Sequence, residues 1–327
     1  MSWSGKTVLV TGAGGFIGSH LAERLVEVGA KIRALVHYRA DSSSGWLEKS
    51  PCRDEMEIVA GDVRDSESVL RAARGVDVIF HLAALIGIPY SYHAPVSYVR
   101  TNIEGTLNIL VAARDLNVER VVHTSTSEVY GTARYVPISE LHPLQAQSPY
   151  AASKIGADKL AEAFFHSFGL PVVILRPFNT FGPRQSARAV IPAIITQCLT
   201  LPRIRLGNIH PTRDFNFVSN TVDGYLRAAA APEAVGRTIN IGSGREVSIE
   251  ELAKTIAENV GRAVTIEFDK ERVRPKDSEV ERLVADSSEA QKILGWQPSV
   301  SLEKGLQVTI DWLRKHLDAY RPTSYAV

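Results

Sequence analysis

Cysteine is scarce in this chain: Cys52 and Cys198 are the only two, far apart and outside any CxxC spacing. That excludes a disulfide framework and a cysteine-based metal site, and it fits a reducing compartment. A surplus of charge of one sign is missing as well. Thirty-seven Lys and Arg stand against 36 Asp and Glu, a formal net charge of +1 with no basic run. An electrostatic footprint for nucleic acid or a membrane surface is therefore absent. No stretch approaches the roughly 18 apolar residues that cross a bilayer. The opening Met1–Lys6 runs straight into a strand pattern, so no signal peptide is expected and the cytosol is the expected location. Internal repeats, low-complexity tracts and flexible linkers are also missing.

What is present is ordinary globular composition over 327 residues, 45% hydrophobic and 22% charged, enough for one or two packed units. Short β-branched runs at Thr7–Val10, Lys31–Val36, Glu57–Val59, Val76–Leu82, Val121–Thr124 and Val172–Leu175 read as buried strands. Helical patterns separate them, notably through Ile17, Leu21, Leu25 and Val28, at Ser66–Ala73 and at Ile103–Leu116. Buried strands separated by helices predict an α/β fold of the Rossmann type, a doubly wound parallel sheet. After Pro177 the rhythm loosens. Helices are expected near Val190–Leu199 and Val222–Ala231, a strand at Thr238–Ile241, and a helix capped by Ser248 and Glu251. A smaller α/β unit is therefore expected to be interleaved with the first. Residues 1–178, completed by segments near 215–245, would bind dinucleotide, and 179–327 would mainly bind substrate.

The loop Thr11-Gly12-Ala13-Gly14-Gly15-Phe16-Ile17-Gly18 lies between the first strand and the first helix. Gly12 permits a tight turn, Gly15 lets backbone approach a pyrophosphate, and Gly18 removes a side chain where helix meets strand. The N–H groups at the positive helix end, those of Phe16 and Ile17 among them, would hold the phosphates. The second strand ends Val36-His37-Tyr38-Arg39 without an acid for the ribose hydroxyls. Arg39 suits a 2′-phosphate, which favours NADP over NAD, although a merely solvated Arg39 would read the same. Asp62, with Val63 beside it, is placed to accept from the adenine amino group; a turn-forming Asp would look alike.

Ser148-Pro149-Tyr150-Ala151-Ala152-Ser153-Lys154 starts a helix, with Ser148 as N-cap and Pro149 at the first position. Tyr150 and Lys154 then share a face. A phenol is a poor base at neutral pH, and a nearby ammonium favours its phenolate. Upstream, Thr124-Ser125-Thr126-Ser127-Glu128-Val129-Tyr130-Gly131 ends a strand with hydroxyls and one carboxylate.

Together with His81-Leu82-Ala83-Ala84, Asn102 and Arg176-Pro177-Phe178-Asn179, these motifs resemble, in order, the extended short-chain dehydrogenase/reductases. Within that family the chain resembles nucleotide-sugar 4,6-dehydratases. The finer likeness is to the N-acetylglucosamine-nucleotide 4,6-dehydratases of legionaminic-acid pathways. Leu85-Ile86-Gly87-Ile88-Pro89-Tyr90-Ser91 and Thr212-Arg213-Asp214-Phe215-Asn216-Phe217-Val218 carry it. The resemblance implies Thr126, Ser127, Glu128, Tyr150 and Lys154 as the catalytic set. It places Leu82, Ala83 and Ala84 against the cofactor. Ile86, Asn179, Arg188, Val190, Arg213, Arg274 and Glu279 would meet a UDP- or GDP-linked hexose. Ser127 stands where glucose-specific dehydratases carry an Asp, so Glu128 would serve as both base and acid. Sugar-nucleotide decarboxylases share Ser-Glu-Val-Tyr-Gly, and 4-epimerases need no such base; a catalytically silent dinucleotide sensor would have lost Tyr150 or Lys154. The resemblance further implies a cofactor retained through turnover. It also implies a homodimer packed through Ile103–Leu116 and Tyr150–Phe168, with Leu107, Leu110, Leu160 and Phe164 in the seam.

Overall fold

A computed structural model describes residues 2–320. Its strands are β1 (Thr7–Thr11), β2 (Lys31–His37), β3 (Met56–Gly61), β4 (Val78–His81), β5 (Arg120–Thr124), β6 (Val172–Pro177), β7 (Asn179–Phe181), β8 (Arg203–Leu206), β9 (Thr212–Phe217), β10 (Thr238–Ile241), β11 (Glu246–Ser248) and β12 (Thr265–Phe268). Its helices are α1 (Phe16–Glu27), α2 (Ser66–Ala73), α3 (Ile88–His93), α4 (Pro95–Tyr98), α5 (Gly105–Asp115), α6 (Pro149–Phe168), α7 (Val190–Thr200), α8 (Val218–Ala230), α9 (Ile249–Val260), α10 (Ser288–Leu294) and α11 (Leu302–Lys315).

Seven strands form one parallel sheet in the order β10-β6-β5-β4-β1-β2-β3. The order reverses between β1 and β4, and in such sheets the crevice beyond the carboxyl ends at that point takes the ligand. Side chains alternate across the sheet. Val8 and Val10 enter the core on one face, and Leu9, Leu35 and Ile79 enter the core on the other. Both faces are covered, as the near-continuous apolar strands require.

β10 joins the large sheet beside β6, with Asn240 opposite Arg176. Segments on either side of β10 in the chain build two small sheets, β11-β9-β7 and β12-β8. Their strands have three to six residues and mixed polarity, and no strand was expected at β7, β8, β9, β11 or β12. The helix expected from Val222 begins four residues earlier, at Val218. Before α5, Val99–Glu104 forms a π-helical turn. The expected caps are present. Ser148 Oγ accepts from Ala151 N at 3.1 Å, and Ser248 with Glu251 closes a capping box.

The expected seam residues divide. Leu107 is exposed, whereas Leu110 and Phe164 turn inward into the core, because α5 and α6 bury that face against the sheet. Among the described residues no helix is long and apolar enough to cross a membrane.

Candidate active site

The glycine loop is compressed against its neighbours. Gly12 has φ +69°, and a Cβ there would lie 2.9 Å from Ala83 N. A Cβ on Gly18 would lie 2.2 Å from the Gly12 carbonyl oxygen. Gly15 is the N-cap of α1, with no side chain capping the helix and no acid in its first turn. The free N–H groups and positive dipole end therefore face an open cradle, which fits a pyrophosphate. Phe16 and Ile17 form that first turn, half-buried.

On the adenosine side both candidate residues already have partners within the chain. The Arg39 guanidinium forks onto the Asp41 carboxylate at 3.2 and 2.9 Å, and Ser43 N donates to the same carboxylate at 3.1 Å. Asp62 is likewise engaged, by Arg64 at 2.5–3.0 Å, and this pairing holds its carboxyl below the ordinary range. Val63 beside it is buried against Gly105.

Beneath the crevice runs a chain of hydrogen bonds whose protons can all be assigned. Leu82 N and Ala83 N donate to Thr11 Oγ1, each at 3.1 Å. Thr11 Oγ1 itself donates to His81 Nδ1 at 2.9 Å. His81 Nε2 donates to Thr106 Oγ1 at 3.1 Å, and Thr106 donates to the Asn102 carbonyl at 2.6 Å. This order requires a neutral His81, and burial indeed pushes its pKa well down. The Asn102 side chain then clamps Leu85, accepting from its N at 2.8 Å and donating to its O at 3.0 Å. It also donates to Ser153 Oγ at 2.9 Å, and Ser153 donates to the Tyr150 carbonyl at 2.7 Å. Leu82, Ala83 and Ala84 thus form a half-buried strand end fixed between β1 and the helix that carries Tyr150.

Tyr150 and Lys154 are both buried on α6. Burial raises the Tyr150 phenol above its usual value; the Thr126 hydroxyl works against this, and the negative charge of Glu128 adds to it. The Lys154 ammonium, expected to favour the phenolate, donates to the Thr124 carbonyl. Burial lowers Lys154 to about 8, and Asp158 opposes that. Thr126 caps the turn Ser127–Tyr130, accepting from Glu128 N at 3.3 Å. Ser127 is buried, whereas Thr126 and Glu128 are half-exposed toward the crevice. Tyr98 stands edge-on to Tyr150, ring centroids 6.1 Å apart, and its hydroxyl bonds the carbonyls of Ile86 and Gly87.

Across the crevice, β9 carries the buried Arg213. Its guanidinium lies 3.4 Å from Glu279 Oε1, and Arg274 lies 3.5 Å from the same oxygen. The negative charge of Glu128 acts on Arg213 too, so Glu128, Tyr150 and Arg213 share one electrostatic neighbourhood. Asn179 Oδ1 is buried without a hydrogen-bond partner, which suits a group that awaits one, and Arg274 Nη1 has its ion pair with Glu279 but no hydrogen bond. Arg188 and Ile86 are exposed at the rim, and Val190 opens α7. Among the described residues no group of three or more His, Cys, Asp or Glu side chains could hold a metal ion.

Over residues 9–309 the chain matches the family model described as GDP-mannose 4,6 dehydratase. The chain belongs to that family of extended short-chain dehydrogenase/reductases. It is 36% identical over 315 residues to a UDP-glucose 4-epimerase of Mycolicibacterium smegmatis, covering 94% of this chain and 98% of that protein. With a dTDP-glucose 4,6-dehydratase of Streptomyces griseus it shares 33% identity, covering 96% of each. A dTDP-glucose 4,6-dehydratase of Streptomyces venezuelae, solved with NAD bound, superposes with a TM-score of 0.88 at 31% identity. That match covers 97% of this chain and all of that one. The protein is thus an enzyme of the NAD-dependent nucleotide-sugar dehydratase, epimerase and decarboxylase family.

Several residues of this family member escaped the sequence reading. Asp158 is fully buried and accepts from Ser125 Oγ at 2.7 Å and from Arg176 Nη2 at 2.9 Å. His123 Nε2 lies 3.2 Å from its other oxygen but out of line for a hydrogen bond. The signal was available, since Asp158 continues the four-residue step from Tyr150 through Lys154. Asp214, also buried, accepts from Ser243 N, Gly244 N and Ala285 N and fixes the chain beside Arg213. Its three partners lie 29–71 residues away, so nothing local marked it.

Proposed function

We propose that this enzyme is a nucleotide-sugar 4,6-dehydratase. It would convert a UDP- or GDP-linked hexose, with N-acetylglucosamine as the proposed sugar, to the 4-keto-6-deoxy derivative. The observation that carries this reading is a carboxylate, Glu128, close enough to Tyr150 to influence its phenol. A 4-epimerase only turns a ketone over and needs no base there, whereas removal of water across C5 and C6 does.

A dinucleotide held on the glycine cradle, when bound, would supply hydride-accepting and hydride-donating chemistry beside Tyr150. Tyr150 takes the proton of the C4 hydroxyl, and Thr126 orients that oxygen. The ketone acidifies C5–H, and Glu128 removes this proton. Ser127 supplies no acid, so Glu128 passes the proton to the C6 hydroxyl, which leaves as water. Asn179 and Arg213 hold the diphosphate, while Arg274 and Glu279 hold the remainder of the nucleotide. Ile86, Arg188 and Val190 border the sugar. The dinucleotide rests on Gly12, Gly15 and Gly18, and either NAD or NADP is accommodated by the cradle; Arg39 meets a 2′-phosphate only once Asp41 releases it. The smaller α/β unit after Asn179 closes over the nucleotide sugar. We also propose a homodimer through α5 and α6, now with Leu107 and Phe168 as its exposed apolar contacts.

The 36% identity to a 4-epimerase favours a second reading, in which C4 is inverted without loss of water. Incubation with UDP- and GDP-N-acetylglucosamine separates the two. A product about 18 mass units lighter supports dehydration. Unchanged mass with an inverted C4 supports epimerisation, and CO₂ release from a uronic-acid nucleotide supports decarboxylation.

A further inference from the structure

Arg184 has φ +70°, a left-handed conformation that non-glycine residues seldom adopt and that persists only where contacts over-determine it. Here the contacts come from the cofactor helix. Arg184 Nη1 donates to Ser19 Oγ at 3.1 Å, and Nη2 donates to Glu23 Oε1 at 2.9 Å, a pair in which both side chains are largely buried. One turn back along α1, His20 Nε2 donates to the Pro183 carbonyl at 3.0 Å. Ser19 in turn donates to the carbonyl of Phe16, in the turn that opens on the glycine cradle. A second route closes the circuit. The Gln185 carbonyl accepts from Tyr320 Oη at 2.8 Å, and Tyr320 stands edge-on to Trp312. Trp312 stands edge-on to Trp46, and Trp46 N donates to the Gly14 carbonyl at 3.0 Å.

We propose that Arg184 is a positioning residue that fastens the segment 183–190 to α1, so that a dinucleotide seated on the glycine loop sets the place of Arg188 and Val190. That those two residues border the substrate rests on the function proposed above; the tether itself does not. A strained backbone whose guanidinium is held by two side chains of α1 has one resting place, and loosening α1 would release it.

The test is hydrogen exchange followed by mass spectrometry, with NAD as the only ligand. In the wild-type chain, NAD should slow exchange in 12–20 and also in 183–190. Arg184→Gly removes the tether while relieving the backbone, so the variant should fold. In it the NAD effect should shrink to 12–20, and Glu23→Gln should give an intermediate pattern. If NAD does not slow 183–190 in the wild type, or slows it equally in Arg184→Gly, the proposal is overturned. These readouts involve no sugar, so they stand apart from the failure of any substrate assignment. With an active substrate in hand, Arg184→Gly should raise its KM by about tenfold while kcat falls less, the mark of lost ground-state positioning.

Discussion

Asp158 lies one helical turn beyond Lys154 on α6, and its charge is what opposes the burial of the ammonium. Lys154 spends a hydrogen bond on the Thr124 carbonyl, and Asp158 takes those of Ser125 and Arg176, so the two residues tie α6 to adjacent ends of β5 and β6. Thr124 is anchored from the other side by Tyr225 Oη at 2.9 Å. The catalytic helix is therefore positioned by charge and hydrogen bonding beneath it as much as by its apolar face.

The alkaline limb of activity should lie near pH 8, where Lys154 loses its proton, instead of near the ordinary lysine value. The sign follows from burial, which disfavours the charged form and so depresses the value. A profile of kcat against pH checks it. A rate that stays flat to pH 10 would show that the ammonium is not required.

Asp158→Ala should destabilise the fold by about 3–5 kcal/mol, because the buried Arg176 guanidinium loses its carboxylate partner. Urea unfolding at pH 7 measures this. Asp158 is held down to about 2, so the wild-type contribution is complete above the unfolded value, roughly pH 4, and fades as pH falls toward 2. The deficit of the variant should narrow over that acidic range.

Glu128→Gln keeps the shape of the side chain but cannot accept a proton. It should fold, bind cofactor and complete the first hydride transfer, accumulating reduced nicotinamide seen near ~340 nm, while product formation falls by ~10²–10⁴. Tyr150→Phe should leave the cofactor oxidised instead. Dehydration at the wild-type rate by Glu128→Gln would sink the proposed role.

The Arg39–Asp41 fork should govern cofactor choice. Asp41→Asn should free Arg39 and tighten NADP binding by about tenfold, the scale of one charged hydrogen bond, while NAD binding changes little. In that background Arg39→Ala should remove that tenfold gain, about 1.4 kcal/mol. Titration calorimetry with both dinucleotides decides it. Equal changes for NAD and NADP would rule Arg39 out as a phosphate ligand.

Local pattern alone made the large sheet legible, because buried parallel strands must be continuous in apolar residues and their helices must alternate with them. The same holds for the glycine loop, the Ser148 cap and the shared face of Tyr150 and Lys154, all set by spacing of at most a few residues. Arg39 and Asp62 could not be read this way. Their partners, Asp41 and Arg64, stand two residues off, but only folded backbone decides that the pairs close. Likewise Leu110 and Phe164 are apolar on helices whose outer face cannot be told from the inner until the sheet beneath is in place. The hydrogen-bond chain from Thr11 to Tyr150 and the tether from Arg184 to Glu23 join residues far apart in the chain. Sequence determines which side chains such contacts can use. Which of them meet is decided by tertiary packing, because burial forces each polar group to find a partner wherever the fold has brought one.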